Sequence, residues 1–226
     1  KINLGLDVLG RRENGYHDVR MVMQSIYLYD EVKIAKKKEP GITLTTNLKF
    51  LPTGDGNIAY KAAQLLMDEF DLKEGVQITL NKHIPVAAGL AGGSSNAAAV
   101  LFGMNRLFGL RLTQQELMDR GVKLGADVPY CIMRGTVLAE GIGEELSVLP
   151  AMPKCTVLIA KPPISVSTKM VYEALDSKEI VEHPDIDGIL EGLRKGDLHK
   201  VADSMGNVLE DVTIPMHPVI ADIKKV

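Results

Sequence analysis

Ile2, Leu4, Leu6 and Val8 alternate with Asn3, Gly5 and Asp7, the two-residue period of a strand. Met21 to Tyr29, Glu31 to Ala35 and Ile42 to Thr46 read as further strands, separated by bends at Asn14-Gly15 and Tyr29-Asp30-Glu31. The first fifty residues are therefore expected to form an antiparallel sheet. From Asn57 the period lengthens, and Ile58, Ala62, Leu65, Leu66 and Phe70 fall on one face of a helix that starts after Gly54-Asp55-Gly56. Val76, Ile78 and Leu80 return to alternation, and Asn96 to Leu107 is again helical. Thr113-Gln-Gln-Glu116 has the form of a capping box opening a helix towards Lys123. Gly135 to Glu140 predicts a strand that stops at Gly141-Ile-Gly143. Past Leu149-Pro-Ala-Met-Pro153, Thr156 to Ala160 predicts a buried strand broken by Pro162-Pro163. Ser167 or Thr168 then caps a helix carrying Val171, Tyr172 and Leu175, and helical stretches follow at about Ile186–Leu193 and Leu198–Leu209.

A chain of 226 residues holds one large or two small domains with real cores, and the proline-rich stretch near 150 divides it into 1–150 and 151–226. A net charge of −3 offers no footprint for nucleic acid or an anionic membrane, so neither is expected as a partner. Lys36-Lys37-Lys38, followed by Glu39-Pro40, reads as a solvated hairpin tip. Cys131 and Cys155 lack metal-ligand spacing and suit a reducing cytoplasm. No apolar run is long enough for a membrane span.

Candidate chemistry is concentrated in a few stretches. Ile84 to Val100, IPVAAGLAGGSSNAAAV, runs from a strand through Gly89, Gly92 and Gly93 into Ser94, Ser95 and a helix. Such a turn is either a tight connection or a phosphate cradle, because a helix start presents unpaired N–H groups and a partial positive charge. It contains no GxxxxGK[ST], which excludes a Walker loop. Gly15-Tyr16-His17 is either a surface turn or a base-recognition corner, with a ring to stack on and an imidazole to donate and accept. Asp127, read here in a semi-apolar loop Gly125-Ala-Asp127-Val-Pro129, either caps a turn or serves as a base for phosphoryl transfer to an alcohol. A lysine beside it would favour its ionised form and stabilise charge on the transferring group.

Taken in order, KINL, the string PxxxGLxGGSS from Pro85 to Ser95, and GADVP resemble the motifs of the GHMP small-molecule kinases. The resemblance continues through GTVLAEGIGE, SVSTKMVYEAL and GNVLEDV, over nearly the whole chain. The NGYH corner and GADVP loop are similar to those of members acting on 4-diphosphocytidyl-2-C-methyl-D-erythritol in the non-mevalonate isoprenoid pathway. The resemblance implies an α+β, two-domain GHMP kinase fold: a ribosomal-protein-S5-domain-2-like ATP domain over 1–150, then a ferredoxin-like domain over 151–226. It implies that Asp127 deprotonates the substrate C2 hydroxyl and that Lys1 holds and ionises it. Tyr16 and Tyr172 would sandwich the cytosine, His17 would bond its edge, and Asn3 and Thr168 would position the methylerythritol. Gly89, Leu90, Gly92, Gly93, Ser94 and Ser95 would wrap the phosphates of ATP, with Asn57 and Lys82 on the adenine side. Mg2+ would be held by phosphate and water, with no protein metal ligand. A third motif of the form GSGPT is implied but does not occur before Val226, and the chain opens abruptly at Lys1, so both ends are expected to be incomplete. The rival readings are another GHMP kinase, of homoserine or mevalonate type, and a non-catalytic nucleotide- or metabolite-binding regulator on the same fold.

Overall fold

The computed structural model describes residues 1–178, 180 and 182–225. Its elements in chain order begin with β1 (Ile2–Arg11), β2 (His17–Gln24), β3 (Glu31–Lys37), β4 (Ile42–Thr46), α1 (Ile58–Glu69) and β5 (Gly75–Asn81). They continue with α2 (Gly92–Phe108), α3 (Gln114–Val122), α4 (Asp127–Met133), β6 (Thr136–Glu140) and β7 (Glu145–Val148). The last are α5 (Thr168–Leu175), α6 (Ile186–Lys195), α7 (Leu198–Asp203), β8 (Gly206–Asn207), α8 (Glu210–Met216) and α9 (Val219–Lys224). They group into two compact units that alternate along the sequence.

One unit comprises Lys1, Tyr27–Val86 and Leu90–Arg134. Its sheet has the order β3-β5-β4, with β3 antiparallel and β4 parallel to β5. The inner face carries Leu44, Val76, Ile78 and Leu80, all buried, while Ala62, Leu66, Ala97, Leu101 and Met104 bury the facing stripes of α1 and α2. Gly103 lets α2 close on β3, since a Cβ there would lie 2.5 Å from Ile34 Cδ1. The capping box forms as its spacing predicts: Thr113 accepts from the Glu116 N–H, and the Glu116 carboxylate accepts from the Thr113 N–H.

The other unit comprises Ile2–Ile26, Ala87–Gly89 and Gly135–Val226. Its five-stranded sheet has the order β7-β6-β2-β1-β8, antiparallel except where β8 joins β1. Helix α6 lies on this sheet, where Ile186, Ile189, Leu190 and Leu193 form a cluster with Leu4 of β1 and Val22 of β2. Gly5 makes that approach possible, because a Cβ there would lie 2.6 Å from the terminal carbons of both Ile186 and Ile189.

Several expectations change. The strands of the first fifty residues do not form one antiparallel sheet: β1 and β2 belong to one sheet, and β3 and β4 flank β5 in another. Alternation reports which face is buried but not which strand is the neighbour. The second strand runs from His17 to Gln24 rather than to Tyr29, and Tyr27 and Tyr29 are exposed beyond it. Thr156–Ala160 forms no strand and is exposed; no described strand pairs with it, so its apolar run has no ladder to complete. The stretch Leu198–Leu209 is shorter as a helix, since α7 ends at Asp203 and the chain turns into β8.

Candidate active site

The glycine stretch builds a backbone-rich helix start. Three residues hold left-handed backbone, Ala87 at φ 54°, Gly89 at φ 69° and Ala91 at φ 53°, with Ala91 as the N-cap of α2. No side chain caps this end. The first intrahelical contact is from the Ser95 N–H to the Ala91 carbonyl, so the N–H groups of Gly92, Gly93 and Ser94 lie in the turn that a helix leaves unpaired. Gly93 is exposed, and a Cβ at Gly89 would meet nothing within 4 Å. Gly92 instead faces inward, where a Cβ would stand 3.0 Å from Ile84 Cγ2 and 3.2 Å from Lys82 Nζ. Ser95 Oγ donates back to the Gly92 carbonyl at 2.9 Å, and the Leu90 side chain is buried. An open run of N–H groups at the positive end of a 17-residue helix fits the phosphates of a nucleotide.

Beneath this turn lies a buried polar network absent from the sequence reading. The Asp30 carboxylate, 1% exposed, forms an ion pair with Lys82 Nζ. It also accepts from the backbone N–H groups of His83 at 2.6 Å and Ile84 at 2.8 Å, and from Asn96 Nδ2 at 3.0 Å. Lys82 Nζ donates to Asn96 Oδ1 at 2.8 Å, tying the end of β5 to the first turns of α2. The expected adenine-side residues thus have structural work: Lys82 here, and Asn57 as the N-cap of α1, accepting from the Ala59 N–H and donating to the Pro52 carbonyl.

Asp127 is not in a loop. It opens α4, a helix concealed in the sequence by Pro129. Pro129 is the third residue of α4, where its missing N–H forfeits no intrahelical bond. A carboxylate in the first turn also meets the favourable end of the helix dipole. Lys1 Nζ stands 3.7 Å from Asp127 Oδ1, with the lysine side chain 7% and the aspartate 33% exposed. The backbone nitrogen of Lys1 lies 3.0 Å from the Leu90 carbonyl. One turn along α4, burial and then the Asp127 charge push the Cys131 thiol up to about 12, which removes it as a nucleophile.

The tyrosine–histidine corner is assembled on the other unit. Tyr16 is exposed at the hairpin between β1 and β2, its N–H donating to Asn14 Oδ1 at 3.1 Å. His17 opens β2 and packs against Tyr172 of α5, with ring centroids 4.7 Å apart at 36°. Ser167 caps that helix and leaves Thr168 exposed as its first residue. Asn3 lies in β1 beside an irregularity in the pairing with β2.

With the geometry in view, the comparisons are specific. The profile of the GHMP kinases N terminal domain matches residues 57–135. A 4-diphosphocytidyl-2-C-methyl-D-erythritol kinase of Lachnospira eligens is 60% identical over 225 residues, covering 100% of this chain and 78% of that protein. Its counterpart in Lachnoclostridium phytofermentans is 58% identical over 224 residues, covering 99% of this chain and 77% of the other. The chain belongs to the 4-diphosphocytidyl-2-C-methyl-D-erythritol kinase family of the GHMP kinases. A crystal structure of a 4-(cytidine 5'-diphospho)-2C-methyl-D-erythritol kinase superposes with a TM-score of 0.77 at 29% identity, covering 98% of this chain and 78% of that one. A homoserine kinase from Cytophaga hutchinsonii shares the fold at a TM-score of 0.66 and 19% identity, over 100% of this chain and 78% of its own.

In this GHMP kinase the residues that sequence reasoning proposed come together as Lys1 with Asp127 and as His17 with Tyr172. Two aspartates were missed. Asp30 lies just ahead of β3, and Asp176, at the end of α5, bonds His17 Nε2 at 2.6 Å. Neither lies in a local motif, and no signal along the chain sets them apart from other acidic residues.

Proposed function

We propose that the chain transfers a phosphoryl group from ATP to the C2 hydroxyl of 4-diphosphocytidyl-2-C-methyl-D-erythritol, in the non-mevalonate route to isoprenoid precursors. The observation that carries this is the pairing of Lys1 with Asp127 at 3.7 Å, a buried ammonium beside a partly open carboxylate. Asp127 accepts the hydroxyl proton, and Lys1 orients the carboxylate and offers positive charge to the developing transition state. ATP, when bound, supplies the phosphoryl group, its β–γ bond breaking as the new oxygen–phosphorus bond forms. Gly89, Leu90, Gly92, Gly93, Ser94 and Ser95 hold the phosphates, chiefly through main-chain N–H groups, with Asn57 and Lys82 on the adenine side. Mg2+ would be held by the phosphates and water, in keeping with its reluctance to dehydrate. Tyr16 and Tyr172 stack on the cytosine, His17 reads its edge, and Asn3 and Thr168 position the methylerythritol.

In this reading 1–150 is the ATP-binding domain and 151–226 the C-terminal domain, a division by family descent that cuts across the compact units. Two free cysteines accord with a cytoplasmic location. The test is Asp127→Asn, assayed for substrate-dependent ADP release. A loss of about 10²–10⁴-fold in kcat with little change in either KM is expected. An unchanged kcat refutes the base, and preference for homoserine or mevalonate over the cytidylyl alcohol refutes the substrate.

A further inference from the structure

His17 lies in a bonded chain whose other members, Asp176 and Arg11, have no part in the proposed reaction. Its Nε2 is 2.6 Å from Asp176 Oδ1, and Asp176 Oδ2 is 3.1 Å from Arg11 Nη1. The His17 and Asp176 side chains are 11% and 21% exposed. Tyr172, one turn before Asp176 on α5, covers a face of the imidazole. The ring is therefore fixed on one side by a carboxylate and on another by an aromatic, while no described residue bonds Nδ1.

An ionised carboxylate only accepts hydrogen bonds, so the atom facing it must carry the proton. In a neutral imidazole that places the hydrogen on Nε2 and leaves Nδ1 with a lone pair. Nδ1 is then an acceptor. Cytosine presents an amino donor at C4, where uracil, like thymine, presents a carbonyl acceptor. An acceptor at Nδ1 favours the first and faces the second lone pair to lone pair.

We propose that Asp176 is a positioning residue that makes His17 selective for cytosine over uracil, through the carboxylate–imidazole pair between the end of α5 and the start of β2. The inference rests on the reading of His17 as the base-edge residue. Arg11 holds the second carboxylate oxygen and so restrains the rotation of Asp176.

The experiment combines a structural and a kinetic measurement. Nitrogen-15 NMR of the free protein at pH 8 should show His17 protonated at Nε2 and bare at Nδ1. Observation of the Nδ1–H tautomer, or of an imidazolium, overturns the proposal without touching the kinase assignment. Turnover is then compared on the cytidine-diphosphate substrate and its uridine-diphosphate analogue, for the natural protein, Asp176→Ala, His17→Ala and the double variant. Asp176→Ala should lower the ratio of the two kcat/KM values by about tenfold, the value of one hydrogen bond, and leave the KM for ATP unchanged. Because Asp176 acts through His17, its loss should have no further effect in the His17→Ala background. A ratio unmoved by Asp176→Ala, or effects that add in the double variant, overturns the proposal alone. A natural protein that does not discriminate the two bases overturns both this inference and the base corner beneath it. Asp176→Leu, close in size and without an acceptor, repeats the comparison if the alanine variant folds poorly.

Discussion

Removing Asp30 should be far more damaging than removing its partner Lys82. In Asp30→Ala the Lys82 ammonium, whose side chain is 5% exposed, keeps only the Asn96 oxygen at 2.8 Å. Breaking a buried ion pair from one side costs about 3–5 kcal/mol, because a charge stays behind without its counterion. The N–H groups of His83 and Ile84 lose their acceptor as well, which adds about 1–2 kcal/mol after water has partly refilled the space. The sum, about 4–7 kcal/mol, reaches the lower end of the stability of an ordinary domain, about 5–15 kcal/mol. Lys82→Met is different, since the carboxylate it exposes still accepts from His83, Ile84 and Asn96. That change should cost about 1–3 kcal/mol. Urea unfolding followed by far-ultraviolet circular dichroism separates the two, with the midpoint of Asp30→Ala well below that of Lys82→Met. Equal midpoints, or a milder Asp30→Ala, would refute the reasoning.

The same site gives a pH dependence with a definite sign. Burial pushes the Asp30 carboxyl up, but hydrogen bonds from Lys82, the Ile84 and His83 main chains and Asn96 outweigh it and hold it below its ordinary 3.8. A carboxyl depressed by folding contributes stability in full above the unfolded value and loses it as pH falls through the folded one. Acid unfolding of the natural protein should therefore steepen below the ordinary value, and Lys82→Met should bring its onset to higher pH.

Two other predictions concern single side chains. Iodoacetamide at pH 8 should label exposed Cys155 and leave Cys131, whose thiol is pushed up to about 12, unmodified in the folded protein; equal labelling would remove the argument from burial. Asn57→Ala should cost about 1 kcal/mol by uncapping α1, whereas Asn57→Asp keeps the acceptor for the Ala59 N–H and should hold stability. If both variants raise the KM for ATP alike, the side-chain amide also serves the adenine; if only the alanine variant does, the cap accounts for the effect.

What the sequence discloses is local pattern, and what it conceals is partnership. The period of Ile2 to Val8, the capping box at Thr113 and the glycine turn before α2 are each written in neighbouring residues, and each forms as expected. Pairing between distant segments is not written that way. The strand from Glu31 and the strand from Ile42 look like a hairpin, yet β5 comes between them, because only the burial of one face was specified. Pro129 concealed α4 through a rule that holds for helix interiors and fails in the first turn, where Asp127 gains most from the dipole. The same distinction separates the site residues. Lys1, Asp127, Tyr16 and His17 sit in short strings whose chemistry is suggestive on its own. Asp30 and Asp176 acquire meaning only from side chains 52 residues and 159 residues away in sequence. Both bond another residue: Asp30 pairs with Lys82 under the glycine turn, and Asp176 bonds the imidazole of His17. A residue that acts by fixing a partner needs no motif of its own, since one carboxylate at the right distance suffices. Lys1, Asp127, Tyr16 and His17 are therefore legible as candidates in this chain, while the carboxylates that bond Lys82 and His17 become visible only in the fold.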